Sequence, residues 1–431
     1  MPTNVFVCRF LILSLTSLSY GFASIPSDTL GRRVDSLIQR GIQLQTESRY
    51  IDAIRALLTA GADSGSAQSR FYLGLSYAGI NEFRLAAKHI QAAVQLDSQN
   101  INYRFRLGVI FGQLGESSQA QQQYETLRKQ DPDFLPGLFN LALLQMEQGG
   151  YKSASELFLE IVNRRSRDFL SFYNLGLCMS MLGNLDSASV CYATAMTLNA
   201  SYLPAILNLA SIHYHRKSFD EASRLYRKAL QMRPTSGDLA YKVGLCYQQL
   251  QQWNPAKDFF QKACLLDSTK SEYPAQLGYA YFFRTQFDSA TISYRRAIAI
   301  DSVEPSYHLN TALAYSKMDM TEDAAREFQK AINLRHPEGI AKIYDQLGGV
   351  YFRANRFKEA SASYQKALDL DPRDREAQFY TSITLDRMGS VSKAKQSFEK
   401  FLNLVASDTT QKEWQQYARK RIREIDKKTV K

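Results

Sequence analysis

Residues 271–304 read SEYPAQLGYAYFFRTQFDSATISYRRAIAIDSVE, and this stretch decides the fold. It sets Leu277-Gly278 and Tyr281 in one apolar segment against Ala290, Tyr294 and Ala297 in the next. Small residues stand where two helices would cross, and a large one stands a turn further on. Ala290 is also one rung of a ladder. Ala86, Ala120, Ala154, Ala188, Ala222, Ala256, Ala290 and Ala324 recur every 34 residues. The ladder extends up to Ala53 after an interval of 33, and down to Ala360 and Ala394 after intervals of 36 and 34.

A constant period of this size marks a stacked-repeat architecture. With each unit begun nineteen residues before its alanine, eleven units align, near 34–66, 67–100, 101–134, 135–168, 169–202, 203–236, 237–270, 271–304, 305–340, 341–374 and 375–408. The eighth place of the unit is small nearly throughout, as in Gly41, Gly74, Gly108, Ala142, Gly176, Ala210, Gly244 and Gly278. Four residues after the ladder alanine stands a large apolar residue, such as Tyr124, Phe158, Tyr192, Tyr226, Phe260 or Tyr294. Two helices per unit follow, in antiparallel contact. Their small crossing residues allow axes at the short end of the usual ~8–10 Å. Turn residues such as Leu182-Gly183-Asn184 break the two helices. A single unit cannot bury its apolar face, so neighbours must stack on it.

The pattern resembles the tetratricopeptide repeat. Leu347-Gly348, Tyr351, Ala360, Tyr364, Ala367 and Pro372 match nearly every signature place, and the resemblance runs from Val34 to about Asp408. Departures are mild: Thr311 and Thr381 replace the usual leucine, and His213 stands where other units have tyrosine. The resemblance implies an all-α, right-handed superhelical solenoid of about eleven helix-turn-helix repeats, acting by protein binding without catalysis. It also implies that the first helix of each unit lines a concave groove.

The groove-facing places of that family are then filled from this chain. They carry Phe105, Phe139, Leu143, Tyr173, Leu177, Leu207, Tyr241, Leu245 and Tyr279, an apolar stripe that Met146, Met181, Tyr214, Phe282 and Phe283 extend. A bare stripe of this size marks an interaction surface, and a peptide or amphipathic helix would cover it. The alternatives are self-covering by a tight superhelix, by residues 24–33, or by a second copy. Asn140, Asn174 and Asn208 occupy three consecutive sixth places, where some family members hold a peptide backbone with asparagine amides. The family's clamp for a C-terminal carboxylate, with lysine at the fifth place and asparagine at the ninth, is absent from every unit. Later units place Lys317, Asp345, Arg353, Asp386 and Arg387 where earlier ones are apolar, a polarity that would orient a bound segment.

The ends read differently. Arg9, the apolar run Phe10 to Tyr20 and the small-x-small site Gly21-Phe22-Ala23 form an export signal over residues 1–23, cleaved after Ala23. The alternative is an uncleaved N-terminal membrane anchor. Residues 24–33 form a lead segment. After the last unit, residues 409–431 form a basic helix with Trp414, Tyr417, Ala418, Ile422 and Ile425 on one face. That face suits a cap on the array. Arg419, Lys420, Arg423 and Lys427 on the remaining surface are candidates for anionic contact.

The formal net charge is +11, and the signal holds Arg9 alone of its charged residues. An exported chain without a basic stripe between exposed aromatics disfavours nucleic acid as partner. Acidic proteins or anionic envelope surfaces fit better, with peripheral membrane contact and self-association as further readings. Four cysteines follow the signal: Cys178, Cys191, Cys246 and Cys264. Cys178 and Cys246 sit two units apart, beyond disulfide reach. The pairs Cys178/Cys191 and Cys246/Cys264 stay open, with buried thiols the favoured reading. The histidines His89, His213, His215, His308 and His336 are scattered. No zinc spacing, phosphate loop or nucleophile elbow occurs, so no catalytic residue, cofactor or metal site is assigned. The expectation is a non-catalytic adaptor of the periplasm or cell envelope. Its rival is a self-associating scaffold, or a factor held on an anionic surface by its basic end.

Overall fold

The computed structural model describes residues 29–334, 339–406 and 409–429. The expected export signal lies outside them. The described residues form α-helices joined by short turns, with no strand among them. The chain divides into two compact units, Met1–Gly183 and Asn184–Lys431. In a repeat protein cohesion is local, because each repeat packs on its neighbours alone.

The first unit contains α1 (Thr29–Thr46), α2 (Tyr50–Ser64), α3 (Ala67–Gly79), α4 (Phe83–Leu96), α5 (Ile101–Gln113), α6 (Ser117–Gln130), α7 (Leu135–Glu147), α8 (Tyr151–Arg164) and α9 (Phe169–Met181). Helix α1 begins five residues before Val34, where the first repeat was expected to start. The second unit contains α10 (Leu185–Leu198), α11 (Leu203–His215), α12 (Phe219–Met232), α13 (Gly237–Gln249), α14 (Trp253–Leu266), α15 (Glu272–Phe283), α16 (Phe287–Ile300), α17 (Pro305–Lys317), α18 (Thr321–Leu334), α19 (Ile340–Arg353), α20 (Phe357–Leu370), α21 (Arg375–Arg387), α22 (Val391–Leu404) and α23 (Lys412–Thr429). Within each unit, consecutive helices pack as hairpins, and each hairpin packs on the next.

Local sequence sets these boundaries. Several first helices open on capping side chains: Asn100 Oδ1 accepts from the amides of Asn102 and Tyr103, Ser236 Oγ from Leu239, and Asp374 Oδ1 from Ala377. Between the two helices, the fifteenth place of every repeat has positive φ, from Ser48 and Asn81 through Gly115, Gly149 and Lys217 to Gly389. That one left-handed residue reverses the chain. At the far end of the repeat, Asp131, Asp267, Asp301 and Asp371 each accept the backbone amide two residues on, closing the turn to the next repeat.

The core is the ladder. All eleven alanines from Ala53 to Ala394 are fully buried. The large residue one turn later does more than fill space beside the crossing; its ring lies directly on the eighth-place glycine. A Cβ added at Gly108 would stand 2.6 Å from Tyr124, at Gly244 2.6 Å from Phe260, and at Gly278 2.7 Å from Tyr294. Glycine is used there because the neighbouring ring occupies the room that a side chain needs.

The last helix is docked as a cap would be. Ala418 and Ile425 are buried, Trp414 stacks on Phe379 at 4.5 Å, and Arg421 holds Asp386 with bonds of 2.7 and 3.0 Å. Cys178, Cys191, Cys246 and Cys264 are free, buried thiols. Burial pushes Cys246 up to about 12. No helix among the described residues is long and apolar enough to cross a membrane.

Candidate functional site

In the first unit the candidate face is built on α5, α7 and α9. Phe105, Phe139, Asn140 and Leu143 are half-buried there. The fifth-place rings are already engaged within the repeat: Phe105 lies 6.3 Å from Tyr124 and 5.3 Å from Phe134, and Phe139 meets Phe158 edge-on at 5.5 Å. Each therefore props its own hairpin and is only partly available to a ligand. Arg106 follows Phe105, its guanidinium 5.8 Å from that ring, and burial lowers its proton affinity.

Three assignments on α9 are corrected. Tyr173 and Leu177 are 3% and 6% exposed, core residues in place of open groove contacts. Asn174 is also buried, and its Nδ2 donates to the Leu170 carbonyl at 2.9 Å, one helical turn back. An amide tied to its own helix is not a free rung. Asn140 is half-buried with no side-chain hydrogen bond among the described residues.

In the second unit the face runs along α11, α13 and α15. Leu207, Asn208, Tyr241, Leu245 and Tyr279 are all half-buried. Tyr241 packs 5.7 Å from Phe260 and 5.0 Å from Tyr273, and burial together with nearby Glu272 pushes its hydroxyl up to about 12. It too serves the hairpin first.

Further along α15 the surface opens. Phe283 is 47% exposed, stacks on Trp253 with centroids 4.5 Å apart, and lies 4.7 Å from Tyr279. Trp253 was not among the sequence-assigned groove residues. Its signal was present, since Trp253 and Trp414 are the chain's two tryptophans and Trp414 was already assigned to the cap. Trp253 opens the second helix α14, and the first helices on either side of it carry buried acceptors without a donor, Gln248 Oε1 on α13 and Gln276 Oε1 on α15. An unmet buried acceptor is costly, and a bound N–H would relieve it.

Of the charged residues in the later repeats, Asp345 is turned inward, Asp386 is half-buried, and Lys317, Arg353 and Arg387 stand exposed. Asp345, at a fifth place, is 7% exposed with Oδ1 unpartnered, and burial raises it to about 7. Arg353 donates to Ser316 Oγ at 2.6 Å, and Asp386 is held by Arg421. The two acids of the expected charged end are thus taken up within the fold, and its cations remain on the surface. Arg419, Lys420, Arg423 and Lys427 do stand exposed on α23. Among the described residues no group of three or more His, Cys, Asp or Glu side chains could hold a metal ion.

Tetratricopeptide-repeat profiles match residues 105–169, 205–233, 238–265 and 341–374. No curated protein matches the chain. Among solved structures, YrrB, described as a TPR protein with an unusual peptide-binding site, is 21% identical, covering 47% of this chain and 99% of its own, with a TM-score of 0.39. The C-terminal part of a TPR repeat-containing protein from Cytophaga hutchinsonii is 20% identical, covering 56% of this chain and 97% of its own, with a TM-score of 0.49. MamA is 21% identical, covering 37% of this chain and 94% of its own, with a TM-score of 0.36.

Proposed function

Because this chain is a tetratricopeptide-repeat protein, we propose that it is a non-catalytic adaptor which binds an extended or helical segment of another protein on the first-helix face. The observation that carries the reading is the aromatic cluster in which exposed Phe283 and half-buried Tyr279 on α15 meet Trp253 at the start of α14, with the unmet buried acceptor Gln276 Oε1 on α15 itself and Gln248 Oε1 on α13. Aromatic rings supply contact area at small entropic cost, and they anchor most of the binding energy where they occur in interfaces. Amide acceptors on the first helices would set the direction of a bound chain by taking its N–H groups. In the same unit, Leu207, Asn208, Tyr241 and Leu245 stand half-buried on the first helices; in the other unit Phe105, Phe139, Asn140 and Leu143 stand half-buried on theirs.

The adaptor works in the cell envelope, delivered by the export signal over residues 1–23. Intact-mass measurement of protein made in a secreting host tests that step: a chain beginning at Ser24 supports it, and an unprocessed Met1 overturns it.

The binding face is tested by selecting displayed peptides on the full chain and measuring the enriched ones against Phe283→Ser. Selected peptides should lose tenfold or more in affinity on the variant, the scale of a ~1.4 kcal/mol contact. Equal affinity for both proteins would place binding elsewhere.

A further inference from the structure

We propose that the outer face of α23 is a docking surface for an anionic lipid bilayer. Helix α23 divides its side chains by direction. At 100° per residue, Ala418, Ile422 and Ile425 gather on one side with Trp414, and that side is spent against the last repeat, over Phe379, Phe398 and Phe401. On the opposite side Lys412, Gln416, Arg419, Lys420, Arg423 and Lys427 form one exposed stripe about 100° wide and about 22 Å long.

Acidic residues on α23 do not neutralise this stripe. Glu424 pairs with Arg421 at 2.7 Å within the helix, and Asp426 pairs with Lys395 of α22 at 2.5 Å. The five stripe cations have no ion-pair partner among the described residues, and Glu413 beside them is exposed. Two of the three acids on the helix are thus paired away from the stripe, and its cations face solvent.

Charge complementarity selects the occupant. Because the apolar side is buried, this helix cannot sink into a membrane as a free amphipathic helix would, and it offers charge alone. Flexible cations in a row, with no pocket and no exposed ring pair between them, do not specify a fixed arrangement of carboxylates or stacked bases. Lipid headgroups diffuse laterally and meet any spacing. Each Lys or Arg near an anionic leaflet raises partitioning roughly fivefold.

The test is sedimentation of the full chain with phosphatidylcholine vesicles, with and without about 30% phosphatidylglycerol, at low salt and at about 0.5 M. The anionic vesicles should retain the chain well above the neutral ones, and salt should abolish the difference. The variant Arg419→Gln/Lys420→Gln/Arg423→Gln should keep its helicity and lose roughly 100-fold in the anionic excess. Glu413→Gln, which removes the neighbouring acid, should raise that excess. Apolar contact through the N-terminal segment would appear equally on neutral vesicles and in every variant, so only the difference is read. The proposal is overturned if the triple variant sediments like the wild type, if Glu413→Gln leaves binding unchanged, or if polyglutamate or duplex DNA competes more tightly than the vesicles.

Discussion

At the scale of single residues, two positions carry strain that sequence pattern conceals. The fifteenth place of each repeat needs positive φ, and Thr285 meets that need with a β-branched side chain at φ 58°. Such a residue is disfavoured there by about 1–2 kcal/mol. Thr285→Gly should therefore stabilise the second unit by about 1 kcal/mol in urea unfolding, less whatever the bond from its Oγ1 to the Arg284 carbonyl contributes; a loss of stability would show that bond to dominate. Asp345 is the other position. Its folded value, about 7, lies above the ordinary 3.8, so the folded chain holds a proton that the unfolded chain releases. Its contribution therefore declines as pH rises from about 4 to about 7, by about 1.4 kcal/mol for each pH step of one, and stays lost above that. Asp345→Asn should be more stable than wild type at pH 8, with the gap shrinking toward pH 4.5. A gap independent of pH would remove the burial argument. The period marked Asp345 as an oddity at an apolar place, but not whether it faced water, since burial depends on the repeats stacked on either side.

Between helices, the decisive contact is the ring on the glycine. At Gly244 a methyl group gains up to about 1 kcal/mol of helix propensity yet presses on Phe260, whereas a branched side chain has no room at all. Gly244→Ala should accordingly lie within about 1 kcal/mol of wild type, and Gly244→Val should cost about 3 kcal/mol or more by overpacking. Ala142 and Ala210 at the same place show that a single methyl is accommodated in other repeats. Equal costs for the two variants would mean that the ring moves freely. For α23, losing the half-buried Trp414 ring removes its stack on Phe379 and should cost about 2 kcal/mol. Limited proteolysis of Trp414→Ala should release the helix before the repeats are cut; uniform digestion would deny it a separate docking role. The cap was legible in the sequence because its apolar residues keep a 3.6-residue period. Its ion pair with Asp386 was not, being made between residues 35 apart.

For the whole molecule, repeats that touch only near neighbours unfold as coupled segments. Phe260→Ala should lower hydrogen-exchange protection in the repeats around α13 to α15 while α3 to α6 in the other unit keep theirs. Loss of protection throughout the chain would mean a cooperativity that local stacking does not supply.

The sequence by itself determined the period, the two-helix unit, the small residues at each crossing, the buried ladder and the amphipathic closing helix. All of these are statements about neighbours within one repeat, where spacing along the chain is distance in space. The tertiary structure alone decided which residues of the first-helix face remain open. Tyr173, Asn174 and Leu177 look like groove contacts by register and are buried. Trp253 had no groove register and joins Phe283 at the surface. The physical reason is that exposure is the remainder after several elements have packed, and periodicity specifies only the direction in which a side chain leaves its own helix.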